Sequence, residues 1–323
     1  MTTLPTDIPS TFMILKRIWQ RVDAPEEYNG KDAMIGCGPY IFERYESKAG
    51  IACFKSNPNY FAGKPVADIV EWHYCKNLDS LLRFMESTQI DAKIDYYIPL
   101  PGYNKNLVTG FKNIIIESVL GLGIQLHLAF GFKQYPSYMT EFRQAVSYAI
   151  DYQAIIDKVL DGVGEVPSRG YCSPALMGFD QNLGRLEHNP KKAEEILSRT
   201  GFVDSDRDGL RESEDGKKMK IPLTPYPEVY VNQAAHLMAS QLRLLGLDAY
   251  VETLDRDSSN QKLWLDRDYC LAIGYSTPFG CMGAETAAIY YADMPGMYGT
   301  CSDSELTRMV EMAICSKDLG VDG

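Results

Sequence analysis

Acidic residues crowd the twelve-residue run Asp204-Ser-Asp-Arg-Asp-Gly-Leu-Arg-Glu-Ser-Glu-Asp215, and their spacing suggests chemistry. Counted from Asp204, acids stand at positions 1, 3, 5, 9 and 12, with glycine at position 6. This is the ligand register of a calcium loop, in which alternate carboxylates and the position-7 carbonyl wrap a hard cation. Asp204, Asp206, Asp208, Glu212 and Asp215 are the candidate ligands, with the Leu210 carbonyl at position 7. Asp215 is shorter than the bidentate glutamate usual at position 12. The same run also reads as a solvated turn, its Asp side chains capping backbone amides and Gly209 supplying a positive φ. Its flanks favour a turn from helix to strand, because helical pattern ends at Gly201 and strand pattern begins after Lys218.

Other chemistry-bearing residues are sparse. His73, His127, His188 and His236 are isolated, without HxxxH or HExxH spacing. His127 shares the apolar strand pattern Ile124–Phe130 with Gln125; the pair either faces a cleft or belongs to a hydrogen-bonded core. No GxxxxGK[ST] phosphate loop and no GxSxG nucleophile elbow is present. The carboxylate pairs Glu194/Glu195 and Asp266/Asp268 read as solvated faces, so no catalytic set emerges and the chain is not expected to be an enzyme. Eight scattered cysteines with no CxxC read as reduced, mostly buried thiols.

The elements that position these groups follow from periodicity. Residues 36–74 alternate like paired strands broken by turns at Gly36-Cys-Gly-Pro-Tyr40 and Asn57-Pro-Asn-Tyr60. A short helix is expected over Met13–Val22 and another over Leu78–Ser87, with apolar strands at Ile114–Val119 and Ile124–Phe130. Helical spacing then predominates. Phe142, Ala145, Val146, Ala149 and Ile150 form one stripe after a Thr140 cap, and Asp151 caps a second helix. Asn189-Pro190 opens a third, Val231–Leu245 a fourth, and Ser302-Asp-Ser-Glu305 is a capping box for a last one. Strands are expected at Lys218–Leu223, Leu247–Leu254 and Tyr269–Tyr275. This alternation predicts an α/β architecture, with a boundary dividing residues 1–117 from 118–323. The formal charge of −11 argues against a nucleic-acid partner, and no apolar run is long enough to span a membrane.

Four collinear segments resemble the family 5 extracellular solute-binding proteins, the dipeptide, oligopeptide and nickel receptors of ABC importers. They are Gly36-Cys-Gly-Pro-Tyr40 with Asn57-Pro-Asn-Tyr60 and Gly63-Lys-Pro65; Phe142-Arg-Gln-Ala-Val-Ser-Tyr-Ala-Ile-Asp151; Asn189 through Gly201-Phe and the acidic loop; and Gln241-Leu-Arg-Leu-Leu-Gly-Leu-Asp248. Cys37 replaces the family's usual threonine. The resemblance implies periplasmic-binding-protein-like lobes of type II, with mixed sheets flanked by helices and an incomplete first lobe. Residues 1–117 would be part of that lobe and 118–323 most of the second, as in a fragment lacking the N-terminal part and the C-terminal end. It further implies a solute, either a peptide, a nickel complex or a related small molecule, bound by lobe closure. ABC importer membrane subunits would be the partner, and the location extracytoplasmic, although the amino terminus shows no charged-then-apolar signal segment.

By the same resemblance the solute would meet the strand and loop Tyr269–Gly283, which puts Tyr275, Ser276, Thr277 and Phe279, with Gln125 and His127, in the candidate site. The acid of the peptide-binding branch and the histidine of the nickel branch are both missing there. No cofactor is required by this reading, and a structural calcium ion is the one metal it suggests. The rival reading is a calcium-stabilised α/β module, or a small-molecule enzyme, on the same scaffold.

Overall fold

A computed structural model describes residues 15–76, 78–87, 107–111, 125–166, 168–169, 179–213, 215–276 and 301–315. These fall into two units, one holding the described residues up to 111 and the other those from 125 onward.

In the first unit, alternating apolar residues build an antiparallel meander of β1 (Tyr40–Glu46), β2 (Ile51–Ser56) and β3 (Ile69–His73), in that order. Gly50, at φ +67°, closes the β1–β2 hairpin by donating its N–H to the Glu46 carbonyl at 2.8 Å. Phe54 sits opposite both Phe42 and Val70 in the ladder. Its ring lies 5.7 Å from that of Phe42 and 5.0 Å from that of Trp72, a cross-strand aromatic cluster of the kind that stabilises small sheets. The helices are α1 (Lys16–Trp19), shorter than expected, and α2 (Leu78–Glu86). The expected strand Ile114–Val119 lies outside the described residues.

The second unit is a mixed sheet covered by helices. Its strands are β4 (Gln125–Phe130), β5 (Lys220–Pro225), β6 (Asp248–Val251) and β7 (Leu271–Ser276), ordered β4-β7-β5-β6. β5 runs parallel to both β6 and β7, and β4 pairs antiparallel with β7. The helices are α3 (Thr140–Ala149), α4 (Tyr152–Val159), α5 (Pro190–Arg199), α6 (Val229–Arg243), α7 (Arg256–Asn260, continued by a π-helical turn to Asp266) and α8 (Ser304–Cys315). One sheet face, with Ile221, Leu223, Leu271 and Ile273 fully buried, packs against the apolar stripes of α3 to α6. Small residues Ala234, Ala235 and Ala239 on α6 let that helix approach closely. A smaller cluster of Leu263, Tyr269 and Ala272 is separate from this core.

Helix starts follow the chemistry of their caps. Asp151 accepts from the Ala154 N–H at 2.9 Å, and Asn189 from the Lys192 N–H at 3.1 Å with Pro190 at the first helical position. Two expected caps are displaced. Met139, not Thr140, precedes α3, because the Met139 carbonyl already accepts the Arg143 N–H; the Thr140 hydroxyl instead accepts from the Arg143 guanidinium. α8 is capped by Asp303, not Ser302, since the Asp303 carboxylate takes the Leu306 N–H at 2.9 Å. At α8 the stronger acceptor, one residue further on, sets the start.

Candidate functional site

β5 and β7 are parallel neighbours, so their carboxyl ends emerge on the same edge of the sheet. In open α/β sheets that edge is where ligands are usually held. Tyr275, near the end of β7, meets Tyr226, which follows β5, and Tyr230, in the first turn of α6. The ring centroids lie 6.0 and 5.7 Å from that of Tyr275. Arg256 lies over the Tyr226 ring, 5.4 Å from its centroid, and donates to the Tyr226 hydroxyl at 3.0 Å. Its other terminal nitrogen pairs with Glu228 at 2.9 Å, and this contact, ahead of other causes, raises the guanidinium pKa further above its ordinary value. The result is three aromatic rings backed by one oriented cation–anion pair, with Tyr275 still 38% exposed. Rings in this arrangement can stack on a flat or apolar group while their hydroxyls hydrogen-bond a polar one.

The residues expected at this edge are only partly gathered. The backbones of Gln125 and Leu126 pair with Ser276 and Tyr275, so the start of β4 reaches the same edge. His127 pairs with Gly274, one step away, and alternation along the strand puts it on the face opposite Tyr275. Leu126 and Leu128 pack in the main core, whereas Ala129 joins the smaller cluster on the face His127 shares. Thr277 and Phe279 lie outside the described residues. Sequence reading missed Tyr226, Glu228, Tyr230 and Arg256. The signal available was the run Tyr226-Pro-Glu-Val-Tyr230, which puts polar-tipped aromatics immediately after a strand.

The acidic loop joins α5 to β5. Isolated bridges pair Glu212 with Val203 on one side and Lys218 on the other, so the loop folds back over Glu212. Glu212 is 4% exposed, and its Oε2 accepts from the Ser205 N–H and hydroxyl, both at 2.7 Å. Its Oε1 is buried with no hydrogen-bond partner among the described residues. Asp204 accepts from the N–H groups of Asp208 and Gly209, Asp206 from Asp208, and Asp208 from Leu210, at 2.9–3.1 Å. Arg207 and Gly209 take φ values of +63° and +91° to permit the tight path. One carboxylate oxygen from each of Asp204, Asp206, Asp208 and Glu212 lies within 4.8 Å of the others. Asp215 is not among them: it accepts from the Ser213 hydroxyl and pairs with Lys217 at 2.7 Å.

Lys218 places its ammonium against Asp208 and 3.3 Å from Asp206. That contact, followed by the Leu210 N–H, holds the Asp208 carboxyl below the usual carboxylate range. A further hollow between α3 and α5 is lined by Arg169, Lys192 and Arg199 together with Glu187 and Glu195. Its charges nearly balance, and Lys192 is already engaged with the Tyr148 hydroxyl at 2.8 Å.

Comparisons with known proteins agree on one family. The model for the bacterial extracellular solute-binding proteins, family 5 Middle, matches residues 2–287. The oligopeptide-binding protein AppA of Bacillus subtilis is 25% identical over 256 residues, covering 77% of this chain and 45% of that protein. A dipeptide-binding protein of Pseudomonas aeruginosa is 29% identical over 219 residues, covering 68% of this chain and 37% of that one. The chain therefore spans less than half the length of these curated relatives. Among solved structures, AppA from Bacillus subtilis in complex with a nonapeptide superposes with a TM-score of 0.76 at 21% identity, covering 96% of this chain and 61% of that one. NikZ from Campylobacter jejuni in complex with Ni(L-His) gives 0.73 at 19% identity, over 95% and 60%. The fold of this chain is thus that of periplasmic binding proteins.

Proposed function

The chain belongs to the family 5 bacterial extracellular solute-binding proteins, and on that premise we propose that it is the solute-binding component of an ABC-type importer. It takes a peptide, a metal complex or a related small solute, and it binds without turnover. Residues 118–323 supply one of two lobes that close over the solute, and closure is driven by the tighter grip of the closed state. Importer membrane subunits are its partner and its place is outside the cytoplasm. No helix among the described residues is long and apolar enough to cross a membrane.

The observation that carries this reading is the trio Tyr226, Tyr230 and Tyr275 at the carboxyl ends of β5 and β7, with Arg256 fixed between Tyr226 and Glu228. A peptide offers both groups this trio accepts: a flat amide or side chain to stack, and polar atoms to meet the hydroxyls. The other relatives widen the panel, since NikZ was solved with Ni(L-His) and a Thermotoga maritima relative with mannohexaose.

Thermal unfolding of the full chain would be followed with dipeptides, tripeptides, a nonapeptide pool, Ni(L-His) and mannohexaose, alongside product analysis. One class is expected to raise Tm with no new product, and Tyr275→Ala to remove the shift. A shift that survives Tyr275→Ala and Tyr226→Ala together would move the site elsewhere. A product formed at a steady rate would replace binding with catalysis.

A further inference from the structure

We propose that Asp204, Asp206, Asp208 and Glu212 form a site for one divalent cation of the calcium class, and that the cation's arrival releases the Lys218 ammonium from Asp206 and Asp208. The cluster of acids alone would not support this, because exposed acidic turns are common. Glu212 supplies the independent observation. Its side chain is buried at 4% exposure, one oxygen is satisfied by Ser205, and the other has no hydrogen-bond partner among the described residues. A buried carboxylate oxygen without a partner is costly. The Glu212 carboxylate stands with Asp204, Asp206 and Asp208 in a group in which one oxygen from each lies within 4.8 Å of the others. Oxygens on opposite sides of a calcium ion lie about 5 Å apart, so the four fit within a single coordination shell.

The charges point the same way. Among the described residues, four carboxylates face one ammonium, and Lys218 reaches Asp206 and Asp208, leaving Asp204 and Glu212 without a cation. A divalent ion would reach all four. The loop is already held in the required shape, because backbone N–H groups fix one or both oxygens of each aspartate and positive φ angles at Arg207 and Gly209 set the path. The cation would therefore bind with little reordering, and water would complete its shell. Asp215 is excluded, since Ser213 and Lys217 hold it.

The ion would brace the fold, because Arg211 ties the loop to the ends of α5 and α6. Calcium chloride is the probe, titrated into the chelator-treated full chain by calorimetry and thermal unfolding, with magnesium chloride in parallel. The expected result is a single calcium site and a Tm rise of roughly 5–10 °C at a hundredfold excess over Kd. Asp206→Asn, at an exposed position, is expected to weaken binding at least tenfold, and Glu212→Gln to do the same if it folds. Lys218→Ala is expected to tighten calcium binding about two- to fivefold, the size of a released surface ion pair. No heat and no Tm change at millimolar calcium would overturn the site, as would binding unaffected by Asp206→Asn. Unaltered affinity in Lys218→Ala would overturn the displacement.

Discussion

Arg211 donates from Nε to the Leu245 carbonyl oxygen at 2.7 Å, which fastens the acidic loop to the carboxyl end of α6. The same side chain donates from Nη1 to the Phe202 carbonyl at 2.6 Å and to the Ser198 hydroxyl at 3.0 Å, and its backbone N–H meets the Gly246 carbonyl. One cation thus joins carbonyl groups of the segments that follow two helices, Phe202 after α5 and Leu245 after α6. Its side chain is only 11% exposed. Arg211→Ala is expected to cost about 2–4 kcal/mol, read by urea denaturation of the full chain. Arg211→Lys should recover less than half, because a point charge cannot reach three acceptors set at different angles.

The turn between β4 and α3 leaves no room for a side chain. A Cβ built on Gly131 would lie 1.6 Å from the Tyr269 carbonyl oxygen, a backbone atom that cannot rotate aside. Gly131 also donates its N–H to the Cys270 carbonyl at 2.9 Å, continuing the β4–β7 pairing. Gly131→Ala should therefore destabilise by about 2–3 kcal/mol, with a lower midpoint in urea and an unchanged slope.

Asn189 caps α5 through the Lys192 N–H. Asn189→Ala is expected to lower stability by about 1 kcal/mol and Asn189→Asp to hold it near the parent value. Equal losses in the two variants would mean that the cap is not what holds this helix start.

Asp208 gives a pH dependence of known sign. Lys218 and the Leu210 N–H hold its folded pKa below the ordinary value. Its contribution is therefore complete above the unfolded carboxyl pKa of about 3.9, and is lost as pH falls through the lower folded value. Carboxyl NMR titration in metal-free buffer should show a midpoint below 3.9 by this principle. In Lys218→Ala the midpoint should move up, and a midpoint that stays put would remove Lys218 as the cause.

Much of the fold was legible in the residues. Caps at Asp151 and Asn189, the apolar stripes of α3 to α6 and the strands on either side of α6 arise from local pattern, because each depends on neighbours three or four positions away. Thr140 and Ser302 were misplaced for the same local reason: each has a competitor one residue away, and the carbonyl or carboxylate with better geometry took the amide.

Sequence by itself determined the family, through four ordered motifs, and the spacing of the acids around Gly209. Only the tertiary structure decided what those residues meet. Register across β4 and β7 turned His127 away from Tyr275, since one step along a strand reverses the face. Parallel pairing of β5 with β7 brought Tyr226 and Tyr230 to Tyr275, across about 45 residues of chain. The loop's fold onto β5 put Lys218 among the aspartates, gave Asp215 to Lys217 and buried Glu212. Spacing fixes which groups can converge along one segment; the pairing of distant segments fixes which of them do.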